Sequence, residues 1–140
     1  MLFRSDLGSF QQILLEKNTL DVFDNPNTRA VLAWINTQSA RSQALPAHRG
    51  GSEAAPDFLV FGVVTEYCVL RAADGLVRRG FRVSIVEDAI QSLDEKKGRE
   101  ILDELHSRGA QLITTEQALS LIASDTARTA KGKLHKTAGN

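Results

Sequence analysis

The stretch that most constrains the fold is FLVFGVV, residues 58–64, which is apolar throughout. A continuous apolar run of this length with β-branched residues favours a strand buried on both faces, as in a parallel sheet. The next segment, EYCVLRAADGLVRRG, has apolar residues at helical spacing, namely Val69, Ala72, Ala73 and Leu76. Gly80 then supplies a C-terminal stop. The sequence therefore predicts a strand, a turn and a helix, with the single cysteine, Cys68, in the turn.

Strands and helices alternate along the rest of the chain. Further strands are predicted at QILLEK (residues 12–17), FRVSIVED (81–88) and AQLIT (110–114). This alternation predicts an α/β fold, a Rossmann-like three-layer α/β/α arrangement with a parallel sheet of about four strands.

Capping residues mark where the remaining helices begin. NPNTRAVLAWINTQ opens with Asn25 as a candidate N-cap and Pro26 at the first helical position. Two capping-box patterns, Ser92 to Glu95 and Thr114 to Gln117, precede the last two predicted helices.

Composition divides the chain into one domain and a tail. Residues 1–123 form the predicted domain, whose segment 37–57 is small, polar and broken by proline and glycine, so we expect a surface loop or insertion there. Residues 124–140 have few apolar residues and no periodicity, which predicts a disordered tail.

Charge and hydropathy exclude several classes of protein. The chain has 17 lysine and arginine residues and 17 aspartate and glutamate residues, so its formal net charge is zero. Nucleic acids and anionic membrane surfaces would therefore not be attracted to it by an excess of positive charge. One cysteine makes no internal disulfide, and we find neither a signal peptide nor a membrane-spanning stretch. We therefore expect a cytoplasmic protein.

Cys68 has two interpretations from its position alone. It follows the carboxyl end of a predicted parallel strand, where α/β sheets bind ligands, and a helix N-terminus stabilises a thiolate. Free cysteine is nevertheless often a small buried hydrophobic residue, and position alone favours that structural role.

The segment VFGVVTEYCVLRAADGLVRRGFRVSIVEDAI resembles the nucleophile segment of the isochorismatase-like cysteine hydrolases, a family that includes nicotinamidases. The matching residues are Gly62, Val63, Thr65, Glu66, Cys68, Val69, Gly80, Phe81, Val83, Asp88 and Ala89. The resemblance covers residues 6 to about 122, and the nicotinamidase-related branch is the most similar. It implies that Cys68 attacks a carbonyl carbon, typically of an amide, to give a thioester that water cleaves.

The resemblance also assigns residues around Cys68. The segment ILLEKNTLDVF resembles the family segment in which a strand ends at a catalytic lysine followed by a phenylalanine, here Lys17 and Phe23. Without the family motif, Lys17 would be interpreted as a solvated surface lysine, since lysine side chains are mostly exposed. The family's cis peptide falls between Val63 and Val64, and the N–H groups of Val64 and Cys68 would bind the oxyanion.

Three neighbours of Cys68 keep alternative roles. Thr65 and Glu66 match the family turn, but both are also residue types that cap a following helix. Tyr67 is suited either to line the substrate pocket or to pack on a neighbouring helix.

Two features of the family have no counterpart in this sequence. Family members begin with a central strand that ends in the third catalytic residue, an aspartate, and the context of Asp6 does not match it. We expect that the chain begins too late to contain this strand, which would leave a gap between QILLEK and FLVFGVV. The aspartate–histidine metal cluster of nicotinamidases is also missing, and His48, His106 and His135 look incidental, so we expect no metal and no cofactor.

Three functions follow as hypotheses. The first is a cysteine hydrolase that acts on a small nicotinamide-like amide or a related carbonyl substrate. The second is a catalytically inactive fragment or pseudoenzyme that serves as a binding or assembly subunit. The third is a redox-sensing thiol domain, which needs an accessible Cys68 but no hydrolysis. An exposed sheet edge would favour association, so a homo-oligomer is an open alternative.

Overall fold

The structure, a computed structural model, describes residues 3–4, 12–43 and 56–124. The strands in these ranges are β1 (Phe3–Arg4), β2 (Gln12–Ile13), β3 (Asp57–Val63), β4 (Arg82–Gln91) and β5 (Gln111–Ile113). The helices are α1 (Asn27–Gln43), α2 (Leu70–Val77), α3 (Glu95–Ser107) and α4 (115–124). A 3-10 helix at Val22–Asp24 precedes α1, and a π-helical turn at Thr65–Val69 leads into α2.

The central sheet has the strand order β3-β4-β5 and is parallel throughout. Val60 lies opposite Ile85, and Ile85 lies opposite Leu112. The ladder between β3 and β4 is irregular between Val60 and Gly62, where Gly62 adopts a φ of 124°, a conformation that only glycine enters easily. The predicted α/β fold with a parallel sheet is confirmed.

The predicted strand QILLEK is shorter than expected and lies outside this sheet. Only Gln12–Ile13 is extended and paired, and its partner is β1, in antiparallel register with Phe3 opposite Ile13. A strand forms only where a neighbour accepts and donates its backbone hydrogen bonds. Among the described residues β1 provides that neighbour, so the parallel sheet has three strands rather than the predicted four.

Helices cover the two faces of the sheet. Val83 and Ile85 of β4 pack on one face with residues of α2 and α3, including Ala73 and Leu105. Val86 points to the other face, where the second core cluster contains Val86, Ile113 and Ala118 with Leu59 packed against it. Ala118 belongs to α4, so the strands lie between two helical layers, as the three-layer prediction requires.

The prediction that FLVFGVV is buried on both faces is wrong for its second half. Phe61 and Val63 expose 68% and 66% of their surface, whereas Val60, which points to the opposite face, is buried. Within the described residues β3 lies at the edge of the sheet, and α4 packs near Leu59 rather than over Phe61 and Val63. No other described element covers this part of the strand.

Two of the predicted helix signals are confirmed. At the end of α2, the N–H of Phe81 donates to the Leu76 carbonyl at 3.2 Å and Gly80 has a φ of 78°, which is the Schellman arrangement. At the start of α4, the Thr114 N–H donates to Gln117 Oε1 at 2.8 Å, and the Gln117 N–H donates to Thr114 Oγ1 at 3.3 Å.

The predicted start of α3 is wrong. The N-cap is Asp94, whose Oδ1 accepts from the Lys97 N–H at 3.0 Å, and not Ser92. Ser92 instead lies against Gly98, where an added Cβ would be 2.0 Å from its hydroxyl oxygen. Tertiary packing of Ser92 therefore prevails over its local capping preference.

The bounds of α1 also differ from the prediction. The Asn25 side chain accepts from the Asn27 N–H at 2.8 Å, and the helix begins at Asn27, so Pro26 is not its first residue. Its end at Gln43 shows that the predicted loop 37–57 is wrong for residues 37–43. These seven positions contain no glycine or proline and include good helix formers.

Residues 44–55 of the predicted loop and 125–140 of the predicted tail lie outside the described residues, whereas residue 124 belongs to α4. In the described part of the chain, no helix has both the length and the apolar character needed to cross a bilayer.

Candidate active site

Cys68 is held beyond the carboxyl end of β3 by a tight backbone turn. The peptide bond between Val63 and Val64 is cis. The Val64 carbonyl then accepts from the N–H groups of Tyr67 and Val69, each at 3.2 Å. This closes the π-helical turn around Cys68, whose side chain is half-buried. The thiol thus lies at the edge of the sheet where α/β proteins bind ligands.

Lys17 lies directly beside this thiol. Its Nζ donates to Cys68 Sγ at 3.2 Å and to the Leu20 carbonyl at 3.1 Å, although 51 residues separate lysine and cysteine in the chain. An ammonium at this distance stabilises a thiolate through charge attraction and a hydrogen bond. The two residues that the resemblance assigned to catalysis are therefore neighbours in space.

Local hydrogen bonds fix the backbone around Lys17. The Asn25 amide donates to the Glu16 carbonyl at 2.5 Å, which ties the lysine segment to the start of α1. Asp21 caps the 3-10 helix, since its Oδ1 accepts from the Phe23 N–H at 2.9 Å. These contacts form a short, internally braced connection between Lys17 and Phe23.

Phe23 attaches that connection to the helix that follows Cys68. A Cβ placed on Gly75 of α2 would be 1.9 Å from Phe23 Cε2, so the ring occupies the space above a helical glycine. The Arg79 guanidinium lies 3.9 Å from the ring centroid and donates to the Gly75 carbonyl at 2.7 Å. The close approach of Phe23 to α2 brings Lys17 and Cys68 into the same region.

Glu66 connects the Cys68 turn to the start of α3. Its carboxylate accepts from the N–H groups of Leu93 at 2.9 Å and Asp94 at 2.8 Å, and the residue is buried, with 7% of its surface exposed. The hydrogen bond from the Asp94 N–H lowers the pKa of the Glu66 carboxyl below its ordinary value, against the opposing effect of burial. The charged Glu66 carboxylate therefore connects the Cys68 turn to the backbone at the start of α3.

The alternative role of Thr65 and Glu66, as caps of the following helix, is not found in the structure. No side chain caps the π-helical turn, Glu66 bonds to the α3 entry instead, and the fully buried Thr65 Oγ1 has no hydrogen-bond partner in the described part of the chain. The link from Glu66 to Leu93 and Asp94 was missed because 27 and 28 residues separate them. The only sequence signal was a carboxylate placed two residues before the cysteine.

Two cavities occur along the described residues, and neither contains both candidate pocket residues. Phe23 lines a cavity of about 300 Å³ together with Arg29 and Arg79, and neither Tyr67 nor Cys68 borders it. A larger cavity of about 470 Å³ lies between β4 and α3, also away from the thiol. Tyr67 exposes 41% of its surface beside Cys68, so of these two residues it is the one placed next to the thiol.

Neither a carboxylate nor a metal-binding cluster accompanies Lys17 and Cys68 among the described residues. The described contacts of Lys17 and Cys68 include no carboxylate. No group of three histidine, cysteine, aspartate or glutamate residues suited to a metal occurs in the described ranges. His106 Nδ1 lies 2.9 Å from the Ala110 carbonyl, a contact within its own helix end. Asp6, His48 and His135 lie outside the described residues.

The arrangement is chemically suited to nucleophilic attack. A thiolate paired with an ammonium provides a nucleophile and, on the same neighbour, a proton donor. Backbone N–H groups at the start of a helix provide the donors that an oxyanion requires.

The chain is similar to known proteins in sequence and in fold. The sequence pattern described as the isochorismatase domain matches residues 4–117, which is more than half of the chain. The chain is 30% identical over 76 residues to isochorismatase family protein 2B of Dictyostelium discoideum. That alignment covers 54% of this chain and 36% of the relative.

Solved structures show the same fold. The pyrazinamidase of Pyrococcus horikoshii, solved in complex with zinc, superposes with a TM-score of 0.52 at 21% identity, over 71% of this chain and 45% of that one. The nicotinamidase of Bacillus subtilis gives a TM-score of 0.50 at 21% identity, over 70% and 45%. The chain thus spans less than half the length of the relatives that it matches.

Proposed function

Because the chain belongs to the isochorismatase family, we propose that it is a cysteine hydrolase that cleaves a small nicotinamide-like amide through a thioester on Cys68. The observation that carries the proposal is the 3.2 Å contact between Lys17 Nζ and Cys68 Sγ. The lysine and the thiol come from distant parts of the sequence, and this contact gives the thiolate a neighbouring cation.

The proposed first half-reaction forms the thioester. The Cys68 thiolate attacks the amide carbonyl carbon, and the N–H groups of Val64 and Cys68 hold the resulting oxyanion. The Lys17 ammonium transfers a proton to the amide nitrogen as the carbon–nitrogen bond breaks. Ammonia leaves, and the acyl group remains on Cys68 Sγ with Lys17 as the free amine.

The second half-reaction restores the enzyme. The Lys17 amine accepts a proton from water as the water oxygen attacks the thioester carbonyl. The tetrahedral intermediate collapses, the carbon–sulfur bond breaks, and the carboxylic acid leaves. The thiolate and the ammonium are regenerated, so the overall reaction consumes one amide and one water and gives one acid and one ammonia.

The proposal is tested by incubating the 140-residue chain with nicotinamide and measuring released nicotinate and ammonia. We expect product with the wild type, none with Cys68→Ala, and a rate lower by about 10²- to 10⁴-fold with Lys17→Met. Lys97→Met removes an exposed lysine on α3 and is the matched control. Equal rates for the wild type and Cys68→Ala would reject the proposed nucleophile.

One observation favours a second function. Since no carboxylate contacts Lys17 or Cys68 in the described ranges, and the chain matches less than half of its relatives' length, an inactive binding or assembly subunit is the alternative. In that case, no tested amide is hydrolysed by the wild type. Alkylation of Cys68 by iodoacetamide would still be slowed by Lys17→Met, because that reaction reports only the pairing of the thiolate with the ammonium.

A further inference from the structure

Cys68 is the only cysteine in the chain, so an oxidised Cys68 has no second thiol with which to form an internal disulfide. A thiolate reacts with hydrogen peroxide to give a sulfenic acid, which further peroxide converts to sulfinic and sulfonic acids. The Cys68 side chain is half-buried, so part of it is open to a molecule as small as hydrogen peroxide. The fate of the sulfenic acid therefore depends on which nitrogen nucleophile lies beside the sulfur.

The backbone nitrogen that follows Cys68 is already engaged in a hydrogen bond. Sulfenic acids condense with backbone nitrogens in some proteins to give a sulfenamide, which contains a sulfur–nitrogen bond. The next nitrogen along this chain belongs to Val69, whose N–H donates to the Val64 carbonyl at 3.2 Å and helps to close the π-helical turn. Capture of the sulfur by this nitrogen would break that hydrogen bond and open the turn that holds Cys68.

Lys17 provides a second nitrogen at the sulfur. Its Nζ lies 3.2 Å from Cys68 Sγ, and a hydrogen bond to the Leu20 carbonyl at 3.1 Å holds the lysine side chain in this position. The four-carbon stem of lysine is flexible, so the remaining approach to the sulfur needs no movement of the backbone. A lysine amine is also a better nucleophile than a backbone nitrogen, because its lone pair is not delocalised into a carbonyl group.

We propose that Lys17 and Cys68 form a reversible oxidative modification site, in which peroxide joins Lys17 Nζ to Cys68 Sγ as a sulfenamide cross-link. In the first step, the thiolate attacks one peroxide oxygen, the oxygen–oxygen bond breaks and hydroxide leaves. The Lys17 ammonium gives its proton to this hydroxide. The products are a sulfenic acid on Cys68, one water and an uncharged lysine amine in contact with the oxidised sulfur.

The second step forms the cross-link. The Lys17 amine attacks the sulfur, the sulfur–oxygen bond breaks, and a proton moves from the nitrogen to the departing hydroxide. Overall, the sulfur is oxidised by two electrons and one peroxide is reduced to two waters. Two molecules of a thiol reductant reverse the change, because they become one disulfide and return the cysteine thiol and the lysine amine.

The cross-link would have two effects on the site. It occupies the sulfur, which is then protected from conversion to sulfinic and sulfonic acids. It also withdraws the nucleophile and its neighbouring cation together, so under the proposed function the chain would not hydrolyse amides until it is reduced. Formation of the cross-link requires only the contact between the two side chains, and not hydrolysis.

The test treats the reduced full chain with a small molar excess of hydrogen peroxide at neutral pH and measures its mass at high resolution. We expect a monomer lighter by about 2 Da, the mass of the two hydrogens lost, and one pair of proteolytic peptides linked through Lys17 and Cys68. Dithiothreitol should restore the original mass. No substrate is involved, so the result is independent of whether the chain hydrolyses an amide.

Lys17→Arg separates the charge of the lysine from its nucleophilicity. A guanidinium keeps a positive charge beside the thiolate but stays protonated, so it cannot form the bond. We expect the cross-linked fraction to fall by more than about tenfold, with products heavier by about 16 Da for each oxygen added to Cys68. Lys97→Arg, the same change at an exposed lysine of α3, is the matched control and should cross-link like the wild type. Circular dichroism of each variant verifies that it is folded.

Oxidation of the wild type in urea is a control that needs no variant. Unfolding separates two residues that are 51 positions apart in the chain, so oxygen addition should replace the cross-link. The proposal is overturned by oxygen addition without loss of hydrogen in the folded wild type, by a disulfide-linked dimer as the main product, or by equal cross-linking in urea or in Lys17→Arg. A product heavier by about 14 Da would hold an oxygen between nitrogen and sulfur and would overturn the direct sulfur–nitrogen bond.

Discussion

At the scale of single residues, the site rests on side chains that reach across long intervals of sequence. Lys17 meets Cys68, and Phe23 fills the space over Gly75. The identities of Lys17 and Cys68 were predicted from motif resemblance. The hydrogen bonds that hold their segments in place were not predicted. The Glu66 carboxylate binds backbone N–H groups of Leu93 and Asp94, which carry no side-chain signature in the sequence.

The Glu66 brace predicts a specific dependence of stability on pH. Its folded pKa is lower than the unfolded value, so the unfolded chain binds more protons as the carboxyl titrates. The stabilisation is therefore fully present above the ordinary glutamate pKa of about 4.3 and is lost as pH falls through the folded pKa.

The variant Glu66→Gln keeps the shape of the side chain but removes its charge, so it tests the contribution of the charge to stability. We expect a lower melting temperature than the wild type at pH 7 and a smaller difference between the two at acidic pH, where the wild-type carboxyl is protonated. Thermal unfolding followed by circular dichroism across this pH range is the measurement. Glu95→Gln, an exposed glutamate in the first turn of α3, is the control. A constant offset between wild type and Glu66→Gln at every pH would contradict the assigned charge effect.

At the scale of helices and strands, tertiary contacts decided between competing local signals. Thr114 and Gln117 form the predicted capping box, and their side chains have no competing hydrogen bond among the described residues. Ser92 does not cap α3, since its side chain packs against Gly98. The N-cap of α3 is instead Asp94, two residues after Ser92.

Substitution of the two candidate caps distinguishes them. Asp94→Ala removes the acceptor of the Lys97 N–H, so the free energy of unfolding should fall by about 0.5–2 kcal/mol. Ser92→Ala removes no capping bond and should change it by less than about 0.5 kcal/mol. Urea unfolding of both variants provides the comparison. A larger loss for Ser92→Ala would mean that the helix begins as its sequence pattern predicted.

At the scale of the whole molecule, the core lies mainly on one face of the sheet. Ile85 and Leu105 are almost completely buried between β4, α2 and α3, whereas the smaller cluster on the α4 side leaves Phe61 and Val63 exposed. Stability should therefore depend unequally on the two helical layers.

Truncation of a core leucine measures this imbalance. Leu105→Ala, at 1% exposure, should lower the free energy of unfolding by about 2–5 kcal/mol, because it leaves a cavity between α3 and the sheet. Leu93→Ala, at 75% exposure, should change it by less than about 0.5 kcal/mol. Both values come from urea denaturation at one protein concentration. Similar losses for the two variants would argue against a core centred on this face.

The sequence alone determined the α/β alternation, the parallel strand that ends before Cys68, and the family of the chain. These features are local, since hydrophobic periodicity, capping residues and a contiguous motif are all written within short segments. Only the tertiary structure decided that β2 pairs outside the main sheet, that Glu66 binds the backbone at the start of a distant helix, and that Phe61 and Val63 of FLVFGVV are exposed. Each of these depends on which elements are neighbours in space, because backbone hydrogen bonds and burial need partners that a segment cannot specify for itself.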